Sequence, residues 1–199
     1  MKNSNDDSFG EFIGPGEVRF IRLLPGPIER VWAYLTDPEK RARWFAGGPM
    51  ELRAGGKADL KFRHANLSPG ETPPADYKDV HDPGVTMPCT VTHCEPPRRL
   101  SFTWAEEPGR GPSKGSEVTF ELTPEGTRVR LVLTHRRLAT REDQANVGSG
   151  WHLHLGILRA RLEDTPPSPF WAGHARLEKE YAQRIPTPTG TEAPKGRSP

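Results

Sequence analysis

"GPIERVWAYLTDPEKRARWF", residues 26–45, carries two of the chain's five tryptophans and reads as two short helices joined by Asp37-Pro38. Pro27 suits a first helical position. Ile28, Val31, Trp32 and Leu35 follow at i, i+3, i+4 and i+7, which is one apolar helical stripe. Asp37 is an N-cap acceptor and Pro38 an N1 proline for the second helix. Trp44 and Phe45 end that helix, and Gly47-Gly48 stops it. Helices this short are not stable alone. They must close over a larger apolar surface, and the flanking sequence says which.

On the upstream side, "EVRFIRLL" (17–24) is a strand with apolar residues on both faces. Residues 1–14 before it read as a flexible arm. Downstream, Met50–Arg53 and Lys57–His64 are predicted strands joined by a tight turn at Gly55-Gly56. In the second of these, Ala58, Leu60, Phe62 and His64 share a face. Residues 65–83 read as a long proline-rich loop, of a length that is often functional. Strands resume at 85–94, 98–105, 116–123 and 128–135, separated by proline and glycine turns. A long helix spans 146–163, where Val147, Trp151, His154, Leu155, Leu158 and Leu162 keep helical spacing. Thr140 and Asp143 just ahead of it resemble a capping pair. An extra helix covers 170–185, and the tail 186–199 is expected to be disordered.

The order is therefore β-α-α-β6-α with a further C-terminal helix, an α+β domain over 15–185. Successive strands with short turns make an antiparallel meander. Only the long helix can cover its apolar face. A curved sheet gripping that helix is expected, with Val31, Trp32, Trp44 and Phe45 plugging one end.

The totals exclude several function classes. Apolar residues make up 33% of the 199, and the net charge is +2 with both signs interspersed. That balance argues against a nucleic-acid surface or an anionic-membrane surface. Cys89 and Cys94 form neither a metal-binding pair nor a disulfide framework. No basic segment followed by an apolar run begins the chain, and no apolar stretch approaches a membrane span, so a cytoplasmic protein is expected. His152 and His154 diverge around a helix, and no HxxxH spacing occurs, so no metal site and no cofactor are indicated. No P-loop, dinucleotide fingerprint or nucleophile elbow is present.

Three stretches together resemble one superfamily: "GPIERVWAYLTDPEKRARWF", "GSEVTFELTPEGTRVRLVLTHRRL" and "GWHLHLGILRARLE". The chain is similar to the START-like helix-grip (SRPBCC) proteins. Within them it resembles the branch related to the C-terminal domain of the activator of the heat-shock-protein-90 ATPase. The likeness covers about 15–163, and "PPSPFWAGHARLEKEYAQRI" resembles a tail found in one bacterial group of that branch. The resemblance implies the fold. It spans lipid carriers, cyclases and chaperone activators, so it does not by itself name a function.

Candidate binding residues follow from the predicted concave face. Trp44, Phe62, His64, Phe102, Trp104 and Phe120 are expected to point inward, as are Leu122, Leu133 and His135. They would meet Trp151, His154, Leu155 and Leu158 of the long helix. Together they would enclose an apolar site with a few polar groups, the usual form of a small-molecule pocket. The leading expectation is binding of a small hydrophobic or amphipathic molecule, oriented by His135 or His154, with 65–83 as a lid. The alternatives are a cyclase- or dehydratase-type enzyme with no catalytic residue identified, or a chaperone ATPase co-activator. The extra helix packs either on its own chain or on a second copy, which would make a homodimer.

Overall fold

The computed structural model describes residues 8–67, 70–104 and 115–186. The expected tail, apart from Pro186, and the first seven residues of the expected arm lie outside them.

Seven strands form one antiparallel sheet: β1 (Glu11–Gly14), β2 (Glu17–Pro25), β3 (Lys57–Phe62), β4 (Val85–Glu95), β5 (Arg99–Trp104), β6 (Ser116–Glu125) and β7 (Arg128–Arg136). Their order is β1-β2-β7-β6-β5-β4-β3. Strands β3 to β7 are a meander, and β2 returns beside β7 with Val18 opposite His135 and Leu24 opposite Val129. Inward residues alternate as the pleat requires. Ala58, Leu60 and Phe62 on β3 are buried, as are Val118, Phe120 and Leu122 on β6 and Val129, Leu131 and Leu133 on β7.

Two strand expectations are corrected. Residues 11–14 are not an arm but an edge strand, with Phe12 opposite Val18. The arm is held by distant contacts: Gly10 N–H donates to the Tyr181 hydroxyl at 2.8 Å, and Phe9 packs on Tyr181 and His152. Conversely, Met50–Arg53 is not a strand. Only two isolated bridges, Gly47↔Lys61 and Met50↔Ala58, join this segment to β3. Pro49 between them lacks an N–H, which interrupts a ladder. The sheet thus keeps seven strands with a different membership, and β3 ends at Phe62 because His64–Asn66 turns into a 3₁₀ helix.

Helices α1 (Ile28–Thr36) and α2 (Pro38–Ala42) fall where the sequence puts them. The Asp37 carboxylate accepts N–H bonds from Glu39 and Lys40, an N-cap that opens α2. The turn after α2 is organised by Arg41, which is buried and bonded to four backbone carbonyls, those of Thr36, Ala46, Gly47 and Gly48.

The gripping helix α4 runs Arg141–Leu162, five residues earlier than expected. A capping box accounts for the early start: Thr140 Oγ1 accepts from Asp143 N–H, and the Asp143 carboxylate accepts from Thr140 N–H. Gly148, Trp151, Leu155, Leu158 and Leu162 form one buried stripe on it. Ser149 and His154 are buried too, but on different sides of α4: Ser149 meets His174 and His154 meets Trp44.

The last helix, α5 (Phe170–Arg184), packs on α4 of its own chain. Its ends are capped from elsewhere in the sequence. The Glu71 carboxylate accepts the N–H groups of Trp171 and Ala172, and the Arg141 guanidinium donates to the carbonyls of Ala182, Ile185 and Pro186. Both charges have the sign that the helix dipole favours. The described part of the expected loop, residues 65–67 and 70–83, is likewise ordered by this contact. It holds a 3₁₀ turn at Ala75–Tyr77 and the short helix α3 (Lys78–His81), and Tyr77 and His81 both lie against Trp171.

Glycines on α4 predict opposite outcomes. A Cβ on Gly148 would stand 2.7 Å from the Tyr181 ring, whereas one on Gly156 would meet nothing within 4 Å. Tyr181 is fully buried, and its hydroxyl is held by Gly10 and His152, so it cannot yield. Gly148→Ala is expected to lose about 1–3 kcal/mol by overpacking. Gly156→Ala is expected to gain about 0.5–1 kcal/mol from helix propensity. Urea unfolding of both variants checks the pair, and equal signs would contradict this packing.

Candidate functional site

The expected site residues are all brought to the space between sheet and α4, and they form two neighbouring groups. In the first, Trp151 is the centre. Its ring lies 5.6 Å from Trp104 and 5.7 Å from Phe120, and it stacks on Phe45 at 4.9 Å. Trp44 and Phe102 flank Phe120 at 6.3 and 6.2 Å. Leu133, Leu155 and Leu158 are fully buried around them. These rings occupy the interior themselves. Aromatic side chains from four elements meet here, where an enclosed cavity was expected.

His135 belongs to this group, and its hydrogen bonds fix its state. The Trp151 indole N–H donates to His135 Nδ1 at 3.1 Å. The proton therefore sits on Nε2, which donates to Ser116 Oγ at 3.2 Å. Ser116 Oγ in turn donates to the Trp104 carbonyl at 3.5 Å. Burial drives the imidazole pKa down to about 3, with a further push from Arg137. His135 is a neutral, satisfied strut, and both its nitrogens are already committed.

The second group is different. His64 and His154 stand 5.3 Å apart, and Phe170 of α5 packs against both, at 4.6 and 5.0 Å. Phe62 stacks on His64, and His174 lies against Phe170. His154 Nδ1 donates to the Trp44 carbonyl at 2.8 Å, and His64 Nδ1 donates to that of Val80 at 3.4 Å. A carbonyl only accepts, so in each ring Nε2 is left as a bare acceptor. Among the described residues no donor reaches either Nε2. Burial lowers the pKa of His154 to about 3 and of His64 to about 4, so both stay neutral. His174 is also lowered by burial, to about 4, and its Nε2 donates to Ser149 Oγ.

Several residues of this site were not expected from the sequence. Phe45 touches Trp44, Phe62, Trp104, Trp151 and His154, which makes it the joint between the two groups. Phe170, Trp171 and His174 come from α5, and Tyr77 and His81 from the segment that docks on it. The Trp171 indole N–H donates to His81 Nδ1 at 3.0 Å. The adjacent pairs Trp44-Phe45 and Phe170-Trp171 were the available signal, since each opens or closes a helix where both rings can turn inward.

Among the described residues no three His, Cys, Asp or Glu side chains are placed to hold a metal ion, and no helix is long and apolar enough to cross a membrane. Two openings indent the surface beside the grip. One, of about 340 Å³, has Phe45 and Phe62 in its wall. The other, of about 600 Å³, lies between the end of α4 and the α4–α5 connection.

The architecture matches known structures. The solution structure of the protein encoded by gene BPP1335 of Bordetella parapertussis is similar with TM-score 0.73 and 45% identity, over 92% of this chain and 96% of that one. The crystal structure of CalU16 from Micromonospora echinospora has TM-score 0.63 and 24% identity, over 90% and 97% of the two chains. DynU16, described as a putative protein in the dynemicin biosynthetic locus, has TM-score 0.58 and 24% identity, over 77% of this chain and 49% of that one. At these last two identities the likeness speaks for the fold alone. Comparison with curated proteins found no match. Residues 25–163 match the family described as "Activator of Hsp90 ATPase homolog 1-like protein", and α5 follows that matched stretch. With the sheet, the gripped helix and the family match in agreement, the chain belongs to this family, within the START-like SRPBCC proteins.

Proposed function

We propose that the protein binds a small hydrophobic or amphipathic molecule at the His64–His154 end of the grip. The observation that supports this reading is a pair of neighbouring imidazoles, each with an acceptor nitrogen, Nε2, that no donor among the described residues reaches, beside the rings of Phe62 and Phe170. A hydroxyl or amide donor on a ligand would pair with either nitrogen. The ring of Phe170 marks the space, so ligand entry requires α5 to release it. The segment around Tyr77–His81, docked on Trp171, moves with α5 as the lid.

Denaturing extraction of freshly expressed protein followed by mass spectrometry tests this. A stoichiometric small molecule is expected. Phe170→Ala, which vacates a ring-sized space, is expected to raise uptake of apolar probes several-fold. No extracted molecule and no uptake by either form would sink the reading.

A second reading is favoured by the filled interior around Trp151. If the rings packed around Trp151 leave no room for a ligand, the domain works through its surface, and partnership with a chaperone ATPase is then the function to test. A pull-down with the organism's own chaperone, read with its ATPase rate, separates the two. No binding and an unchanged rate would end this alternative.

A further inference from the structure

We propose that the 600 Å³ opening between the end of α4 and the α4–α5 connection is a binding site for the carboxylate head of an amphipathic small molecule. This rests on the reading that the domain takes a small amphipathic ligand, and it adds where the charged end goes and what charge it bears.

The size suits such a ligand, since small-molecule sites run from about 300 to 1,000 Å³. The walls are of two kinds. Leu67 and the prolines 166, 167 and 169 give an apolar side. Arg43, at the end of α2, and Arg161, in the last turn of α4, give a cationic side.

Two arginines and two carboxylates line the opening, and they differ in how their hydrogen-bonding groups are used. Its two carboxylates are already engaged: Glu71 holds the N–H groups of Trp171 and Ala172 at 3.0 Å each, and Asp164 lies 3.9 Å from Arg30. The two guanidiniums are not so engaged. Arg161 uses only Nε, donating to the Arg43 carbonyl at 3.2 Å, which leaves its terminal nitrogens. Among the described residues no side-chain bond of Arg43 is recorded. Spare forked donors from two arginines suit a carboxylate, which accepts two parallel N–H bonds.

The position is equally informative. Leu67 directly follows the turn that carries His64, and Pro169 directly precedes Phe170. The opening thus borders the aromatic plug. A ligand whose head is held by Arg43 and Arg161 has its apolar body against the prolines and Leu67. From there it is one residue from the ring that must move.

The test uses the full chain and a matched pair of probes, 1-naphthoate and neutral 1-naphthylmethanol, titrated by calorimetry at low salt. Naphthoate is expected to bind at least tenfold more tightly, with the preference eroding as salt is raised. Arg43→Gln and Arg161→Gln are each expected to remove most of that preference while leaving the alcohol unchanged. Arg43 is exposed and Arg43→Gln removes no recorded side-chain bond, so it keeps the test independent of folding. Equal affinity for both probes, or naphthoate binding undiminished in both variants, overturns the carboxylate site. If the alcohol still binds in that case, the small-ligand reading survives without it. If neither probe binds, both are wrong.

Discussion

Acidification from pH 7 to about 5 is expected to unfold the protein. Four histidines, His64, His135, His154 and His174, are buried as neutral rings, and burial holds their pKa values at about 3 to 4. In the unfolded chain each titrates near 6.5. Between those limits the unfolded state binds more protons than the folded one, so stability falls as pH falls. It is intact above about 6.5 and drains through the window down to 4. Each group contributes about 1.4 kcal/mol per pH unit there. Four together remove roughly 5 kcal/mol for every unit, against a total of about 5–15 kcal/mol for a typical domain. Circular dichroism melts at half-unit steps check this. A melting temperature unchanged from pH 7 to 5 would contradict the burial of these rings.

Arg41→Met is expected to cost about 3–5 kcal/mol, the range for breaking a buried charged network. Burial lowers the Arg41 pKa to about 10, so the guanidinium is still charged at neutral pH. It binds no carboxylate within the turn. Instead, four carbonyls converge on it and fix the chain's exit from α2 into the segment beside β3. Methionine matches the stem but strands those carbonyls. For a domain of this size the loss corresponds to roughly 6–20 °C in melting temperature. Arg41→Lys keeps the charge without the fork and should fall between the two. A shift below 3 °C for the methionine variant would show that water replaces the guanidinium freely.

How much was legible in the sequence depended on range. The Asp37-Pro38 joint and the Trp151, Leu155, Leu158 and Leu162 stripe of α4 are local patterns and appear as read, although Val147 is only partly buried. β1 was not legible, because Phe9, Gly10 and Phe12 are ordered by Tyr181 and His152, far along the chain. The segment 65–83 looked like a loop for the same reason: Glu71 and His81 gain their partners only when α5 docks. In the site, alternation on the strands correctly turned Phe62, Phe120 and Leu133 inward. It was silent on volume. Whether Trp104, Phe120 and Trp151 surround a space or fill it depends on rotamers and on the insertion of Phe45, and neither follows from spacing.

The placement of β2 beside β7 governs how the molecule comes into being. Val18 must wait for His135, so the first long strand has no neighbour on that side until more than a hundred further residues exist. At roughly 5–20 residues per second, synthesis leaves Phe20 and Leu24 uncovered for about five to twenty seconds. Non-local pairing of this kind also slows folding of the finished chain. The helix that seals the sheet, α4, comes later still. The protein is thus built with its apolar wall open until the end, and its yield in a cell is set as much by what shields the nascent strand as by the stability of the finished grip.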